Sequence, residues 1–476
     1  MPVPDKLCGM IFSAKEHLLV LSGKTFKTLQ EQAFAIHSPL PLITFGIGVT
    51  IAIASFEPAS AAGIVGDGTP GSCTEAALNT ALSNGGNVYF NCGSNPHTIR
   101  VTSEKVISAN TLIDGMTNGK SLITLSGGGQ NRILYAKDDV NLTVKNLTIA
   151  DGFTTDKGGG IYSGYRSKLK VNNCKLKNNK STKRGVDDGG GAIYLLSDST
   201  VNIENSEFTG NQASNGGAIY NLLSDLTVVK STFKKNQSVF SVPGGNGGGG
   251  GAILIDGAKG KTGKIIIHDS TFTDNTAVAQ GGAIFLQLYE NSTSSFEDLT
   301  LSENSVTGNG NQGYGGAIFH VGSETTLLSV DKTTVSANRA SNQGGGFWNG
   351  NNAKVNISNS TFSDNDAVSS DGKSGNGGGL MITSGKINIT NTTIINNYAG
   401  FQGGGIVADS NTTITNVIIA YNVANNGGNN WNIKNNCFDQ MTNGGNNLQF
   451  PGPNLNDPSD KYCAAGITVA QPNLGL

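Results

Sequence analysis

One phrase recurs along this chain and narrows its folding options more than any other feature: two glycines, a small residue and an apolar one. Copies begin at Gly159, Gly190, Gly216, Gly250, Gly281, Gly315, Gly344, Gly377 and Gly403, roughly 26 to 34 residues apart. A period of that length marks stacked repeat units. Between copies lies a second phrase, an alternating stretch that ends in apolar-x-x-Asn. Examples run from Val201 through Phe208 to Asn211, from Ile265 through Phe272 to Asn275, and from Val355 through Phe362 to Asn365.

The period-2 alternation places Ile203, Val228, Ile267, Leu301, Val330, Ile357 and Ile389 on one face of a strand. Phe208, Phe233, Phe272 and Phe362, with Val306, Val335, Ile394 and Ile419, form a second inward column. An asparagine ladder follows beside it, through Asn211, Asn236, Asn275, Asn309, Asn338, Asn365, Asn397 and Asn422. Asparagine suits a turn because its amide can bond backbone groups and pair with the rung above. The glycine pairs supply positive φ at another corner. The predicted fold is all-β: a right-handed parallel β-helix of about ten rungs with an N-terminal cap. One unit cannot bury its own apolar face, but a stack can.

Composition agrees. With 67 Gly, only 14% charged residues and a net charge of -2, the chain suits neither a helix-rich fold nor nucleic acid as its main partner. A hydrophobic content of 37% excludes a disordered chain.

Four segments are expected. Residues 1–62 read as a signal or leader: lysines at 6, 15, 24 and 27, an apolar stretch from Leu42 to Ala54, then Ala59-Ser60-Ala61 as a cleavage site. Residues 63–137 form the cap and first rungs, with helical spacing from Thr74 to Leu82. Residues 138–432 hold the regular repeats, and 433–476 form a C-terminal cap or a truncated anchor-type tail. Once the leader is removed, no spanning domain is expected. Cys8 belongs to the leader; Cys73 with Cys92 and Cys437 with Cys463 read as local disulfides of an exported protein. Cys174 reads as a buried apolar side chain. No Cys/His spacing suggests a metal site.

The paired Gly-Gly-Ala-Ile and Phe-x-x-Asn phrases, over roughly residues 140–430, resemble the repeats of chlamydial-type polymorphic outer-membrane proteins and of bacterial right-handed β-helix repeat proteins generally. The resemblance implies a bacterial protein that is secreted or held at the cell surface or outer membrane. Autotransporters of that group end in a membrane β-barrel, and no such set of amphipathic strands is expected before Leu476.

Function is read from outward positions. The column before the small residue of the strand phrase runs Asn173, Asn205, Lys230, Asp269, Glu303, Lys332, Asn359, Asn391, so Asp269, Glu303 and Lys332 are expected as neighbours, with His268 and Asp331 nearby. That trio is the candidate catalytic group, and solvated surface charge is its plain alternative. Tyr162, Tyr194 and Tyr220, together with Trp348, follow the glycine phrase and are expected to face outward. They form either a carbohydrate platform or a cover beneath loops. Asp187, Asp188 and the basic run from Lys168 to Arg184 read as solvated face, with an acidic glycan or phosphate as the functional alternative. Three longer insertions, Lys180 to Asp188, Gln237 to Gly249 and Asp366 to Asn376, emerge at one corner. The leading expectation is adhesion, glycan binding or cell-envelope structure, with a polysaccharide or cell-surface component as partner and no cofactor. The alternative is a polysaccharide lyase, hydrolase or epimerase, and a lyase would bring calcium.

Overall fold

The computed structural model describes residues 62–240, 247–308, 312–431, 435–456 and 460–473. The predicted leader, with Cys8 and its cleavage site, lies outside the described residues, as do Asn309 and the last three residues of the tail.

One rung shows the plan. The strand Ile193–Leu195 follows the glycine pair, Thr200–Glu204 forms a wide face, Glu207–Thr209 a narrow one, and Gln212–Ala213 a two-residue edge before the next rung begins at Ile219–Leu222. Each strand pairs in parallel with its counterpart one rung away. The chain therefore builds four long sheets: a wide and a narrow sheet of 14 strands each, a glycine-led sheet of 12 and a two-residue sheet of 10. This is a right-handed parallel β-solenoid, and it stacks higher than the ten rungs the repeat suggests.

The wide strand alternates because its pleat does. In Thr200–Glu204, Val201 and Ile203 are buried and Asn202 and Glu204 are exposed. The next strand buries Phe208, which stacks on Phe233 at 4.6 Å, and Phe233 on Phe272 at 4.7 Å. Burying such a side chain contributes on the order of 1.5–3 kcal/mol. At the glycine corner the two glycines have different reasons. Gly216 has φ +53, and a Cβ on Gly217 would stand 2.2 Å from the carbonyl oxygen of Gly251 on the next rung. The first is needed for its backbone angle and the second for close rung contact.

The asparagine ladder runs from Asn179 to Asn436. In each step a buried Asn accepts, at Oδ1, both the backbone N–H and the side-chain amide of the preceding Asn. Asn236 N and Nδ2 donate to Asn275 Oδ1 at 3.0 and 2.9 Å, and Asn236 Nδ2 also donates to the Phe208 carbonyl at 2.9 Å. One rung departs from expectation. Asn304, not Asn309, completes the ladder between Asn275 and Asn338. Accordingly Phe296 pairs with Ile267 and Val330, and Leu301 pairs with Phe272 and Val335. Val306 moves to the two-residue sheet, between Ala277 and Ala340, where it is still buried. The true phrase lies five residues earlier, in Thr300-Leu-Ser-Glu-Asn304, with Leu301 between Phe272 and Val335 of the adjacent rungs.

At the first rungs, helix Glu75–Leu82 packs its buried Leu78 inward, with Thr74 accepting from the Ala77 amide. Glu75 pairs with the buried Lys105; burial pushes its carboxyl up, but the hydrogen bonds from the Lys105 ammonium and from Thr102 outweigh this and hold it down at about 2. A disulfide joins Cys73 to Cys92, and another joins Cys437 to Cys463. Regular stacking continues past residue 432: Cys437–Phe438, Thr442–Asn443 and Leu448–Phe450 extend three of the sheets. Cys174 is buried, and burial pushes its thiol up to about 12. Among the described residues no helix is long and apolar enough to cross a membrane.

The interior is not wholly apolar. His320 is fully buried in the glycine-led sheet, its Nδ1 2.7 Å from Asn349 Oδ1 and its Nε2 without a partner among the described residues.

Two outcomes are expected. Asn338→Ala strands the Asn304 amide groups and the Leu301 carbonyl, and should cost about 3 kcal/mol in a urea titration, against under about 0.5 kcal/mol for the exposed Asn356→Ala. Burial depresses the His320 pKa from 6.5 to about 4, so the folded state favours the neutral ring. Stability is then complete above pH 6.5 and falls as the pH drops toward about 4. His320→Leu should flatten that part of the stability–pH profile.

Candidate functional site

The outward residues of the glycine-led sheet align in one column: Tyr135, Tyr162, Tyr194, Tyr220, Leu254, Phe285, Phe319, Trp348 and Met381. In-register parallel pairing forces them to stack. Ring centroids lie 4.8 Å apart for Tyr135–Tyr162, 5.2 Å for Tyr194–Tyr220 and 4.6 Å for Phe319–Trp348.

Tyr162, Tyr194 and Tyr220 are therefore brought together, but not as an open platform. Tyr194 and Tyr220 are only 0% and 1% exposed, and Tyr162 is half-buried. The insertion before Gly189 folds over them, with the Tyr194 hydroxyl donating to the Asp187 carbonyl and that of Tyr220 to the Val186 carbonyl. Arg132 lies 5.4 Å from the ring centres of both Tyr135 and Tyr162, and Lys157 lies over Tyr194. Burial pushes the Tyr162 hydroxyl up to about 12 and those of Tyr194 and Tyr220 higher. A stacked apolar face on the outside of a sheet gains by being covered, and the loop covers it.

Farther along, the same column is more open. Phe285 and Trp348 are half-buried, and Trp348 stacks on Phe319 and, at 5.6 Å, on Tyr314. Beside them runs a second column built by the residue before each glycine pair: Gln280, Tyr314, Gln343, Asn376 and Gln402, bridged rung to rung and all half-buried. The indole Nε1 of Trp348 donates to Gln343 Oε1 at 3.0 Å. The sequence held the signal for this column, since each member occupies the same place in the repeat. Only its side-by-side placement with the aromatic column needed the structure.

The expected catalytic trio does not assemble. Asp269 and Lys332 do share the corner after the wide sheet, each at positive φ, but the residue between them is Asp298. Glu303 sits at the following corner, in the column of Asp274, because of the five-residue register difference. Lys332 Nζ lies 2.8 Å from Glu297, 3.7 Å from Asp331 and 4.0 Å from Asp298. The hydrogen bond that Lys332 donates to Glu297, then the nearby carboxylates, raise the Lys332 pKa and keep it an ammonium, the wrong form for a base. His268 Nδ1 lies 3.0 Å from Asp269. Among the described residues no group of three or more His, Cys, Asp or Glu is placed to hold a metal ion.

A further carboxyl outside every sequence-based expectation has its pKa raised. Asp256 follows Leu254 on the outer face of the glycine-led sheet and accepts a 2.6 Å hydrogen bond from the Tyr289 hydroxyl. Burial raises its pKa and the charge of Asp187 adds to this, while the hydrogen bond from Tyr289 opposes both. It stands out only once the Asp187 loop and Tyr289 close around it.

The family model for the right-handed beta helix region matches residues 123–329. The same four-strand rung continues beyond that match to Val423–Ala424, and three of the sheets gain a further strand after it. Neither a curated protein nor a solved structure matches the chain significantly.

Because the Asp256 pKa is raised above its usual 3.8, the charged form is disfavoured in the folded state and stability falls as pH rises past 3.8. Asp256→Asn should therefore raise the urea midpoint near neutral pH, with the gain vanishing below pH 3.8, where both side chains are neutral.

Proposed function

We propose that this is a secreted or cell-surface bacterial β-helix protein that binds a neutral polysaccharide without cleaving it. The observation that supports the reading is the Trp348 surface: an indole stacked on Tyr314 and Phe319 of the preceding rung and flanked by the amide column of Gln280 and Gln343. Flat aromatic faces pack against the apolar faces of sugar rings, and side-chain amides and a phenol bond their hydroxyls. The platform carries no charge, which suits a neutral chain better than an acidic one. Rungs about 4.8 Å apart present these groups as a regular track along the solenoid axis. The two disulfides fit an oxidising compartment, as export requires.

The enzymatic alternative finds little support in side-chain chemistry. Lys332 is held protonated by surrounding carboxylates, and Glu303 stands at another corner.

Binding to a panel of neutral polysaccharides, measured by affinity electrophoresis, tests the proposal. Trp348→Ala should weaken the best ligand by about 2 kcal/mol, roughly thirtyfold, and Gln343→Ala by less. Binding that survives Trp348→Ala unchanged would place the ligand elsewhere. Release of reducing ends or of an unsaturated, ultraviolet-absorbing product by the purified protein would overturn the non-catalytic reading.

A further inference from the structure

A second surface differs from the Trp348 track in chemistry and position. The rung from Lys168 to Arg184 carries seven Lys or Arg and no Asp or Glu. The pleat sends Lys168 and Lys170 outward from the wide sheet, Lys175 and Lys177 outward from the narrow one, and Lys180 outward from the two-residue edge. A basic girdle thus wraps three sides of one rung. Lys168, Lys170, Lys177 and Lys180 form no ion pair among the described residues, and Lys175 makes only a 3.9 Å contact with Glu207 between two exposed side chains. The rungs above and below put Asn141 and Thr200 beside Lys168, Thr143 and Asn202 beside Lys170, and Thr209 beside Lys177, so no carboxylate neutralises these positions.

A groove of about 390 Å³ crosses the same rung at the corner between the wide and narrow sheets. Asn173, Asn205 and Ser121 line it together with Lys175 and Lys230, and with one carboxylate, Glu207, against two ammonium groups. Charge is also uneven along the chain: residues 62–240 hold 18 Lys or Arg against 14 Asp or Glu, whereas residues 241–476 hold 10 against 16.

We infer that this girdle and groove bind a carboxylated polysaccharide. Lysines two residues apart on one strand stand about 6.6 Å apart, so the positive charges are spread along a line instead of gathered around one point. Spread charges match a polymer with one carboxylate per sugar unit better than a compact phosphate, which calls for convergent donors. The amides and hydroxyl of the groove can bond sugar hydroxyls between the carboxylates.

The test uses the full chain, polygalacturonate, a neutral glucan and inorganic polyphosphate. Polygalacturonate should bind at about 50 mM salt and release as salt rises, since the lysines are exposed and screened. Combined Lys168→Gln, Lys170→Gln, Lys177→Gln and Lys180→Gln should lower affinity about tenfold or more and reduce the salt dependence. A charge-matched control, Lys259→Gln, Lys264→Gln, Lys354→Gln and Lys386→Gln, should change it less than about twofold. Circular dichroism checks that both variants fold. Equal losses in the two variants, no binding at low salt, or polyphosphate held as tightly as polygalacturonate would each overturn the assignment. Trp348→Ala should leave polygalacturonate binding intact, so failure here and failure of the neutral-glycan reading are separable.

Discussion

Backbone closure at the asparagine corner is the interaction on which the rest of this solenoid depends. At each turn out of the narrow sheet the chain must redirect its N–H and C=O groups inside a dry cylinder, where an unpaired group costs about 1–3 kcal/mol. The ladder meets that demand by having each Asn bond both neighbouring rungs, as Asn236 does with Asn211 and the Phe208 carbonyl on one side and Asn275 on the other. A side chain of another length or without both donor and acceptor cannot do this. Rung register is therefore locked at this corner, and the aromatic, serine and glycine columns inherit it. The serine column at the preceding corner repeats the device more weakly, with Ser206 N donating to Ser231 Oγ and Ser231 N to Ser270 Oγ.

A locked register turns each outward position into a column. The protein's surface chemistry is accordingly linear: an aromatic track on the glycine-led sheet, an amide column beside it, and single-rung features such as the lysine girdle. These columns lie on flat or convex faces, which favours extended polymers as ligands over small molecules enclosed in a pocket. The insertions at one corner then decide which part of a column is exposed. The loop before Gly189 seals Tyr194 and Tyr220 through backbone carbonyls of Val186 and Asp187, whereas Trp348 keeps a half-open face.

Much of this was legible in the residues, and the exceptions have physical causes. Alternation and the Phe-x-x-Asn phrase are read directly because strands have a two-residue period and the core needs one side of it. The misplaced rung arose where Leu301 replaces Phe and two apolar-x-x-Asn readings compete. A local pattern cannot choose between Asn304 and Asn309, but the amide of Asn275 does, donating to Asn304 Oδ1 at 3.0 Å. That shift removed Glu303 from Asp269 and Lys332, and with it the only sequence-level case for an acid/base group. The repeat orders the tyrosine stripe but leaves open whether it is a platform or a cover beneath loops, because cover by a loop is set by the path of the insertion.

By itself the sequence determined the parallel solenoid and the composition of its columns, since both follow from periodicity and from the backbone demands of Gly and Asn. The tertiary structure alone decided which columns are bare, which carboxyl is buried and which charges meet. Those outcomes depend on contacts between residues a full rung or more apart, such as Tyr289 with Asp256 and Trp348 with Tyr314, and on where the corner loops come to rest.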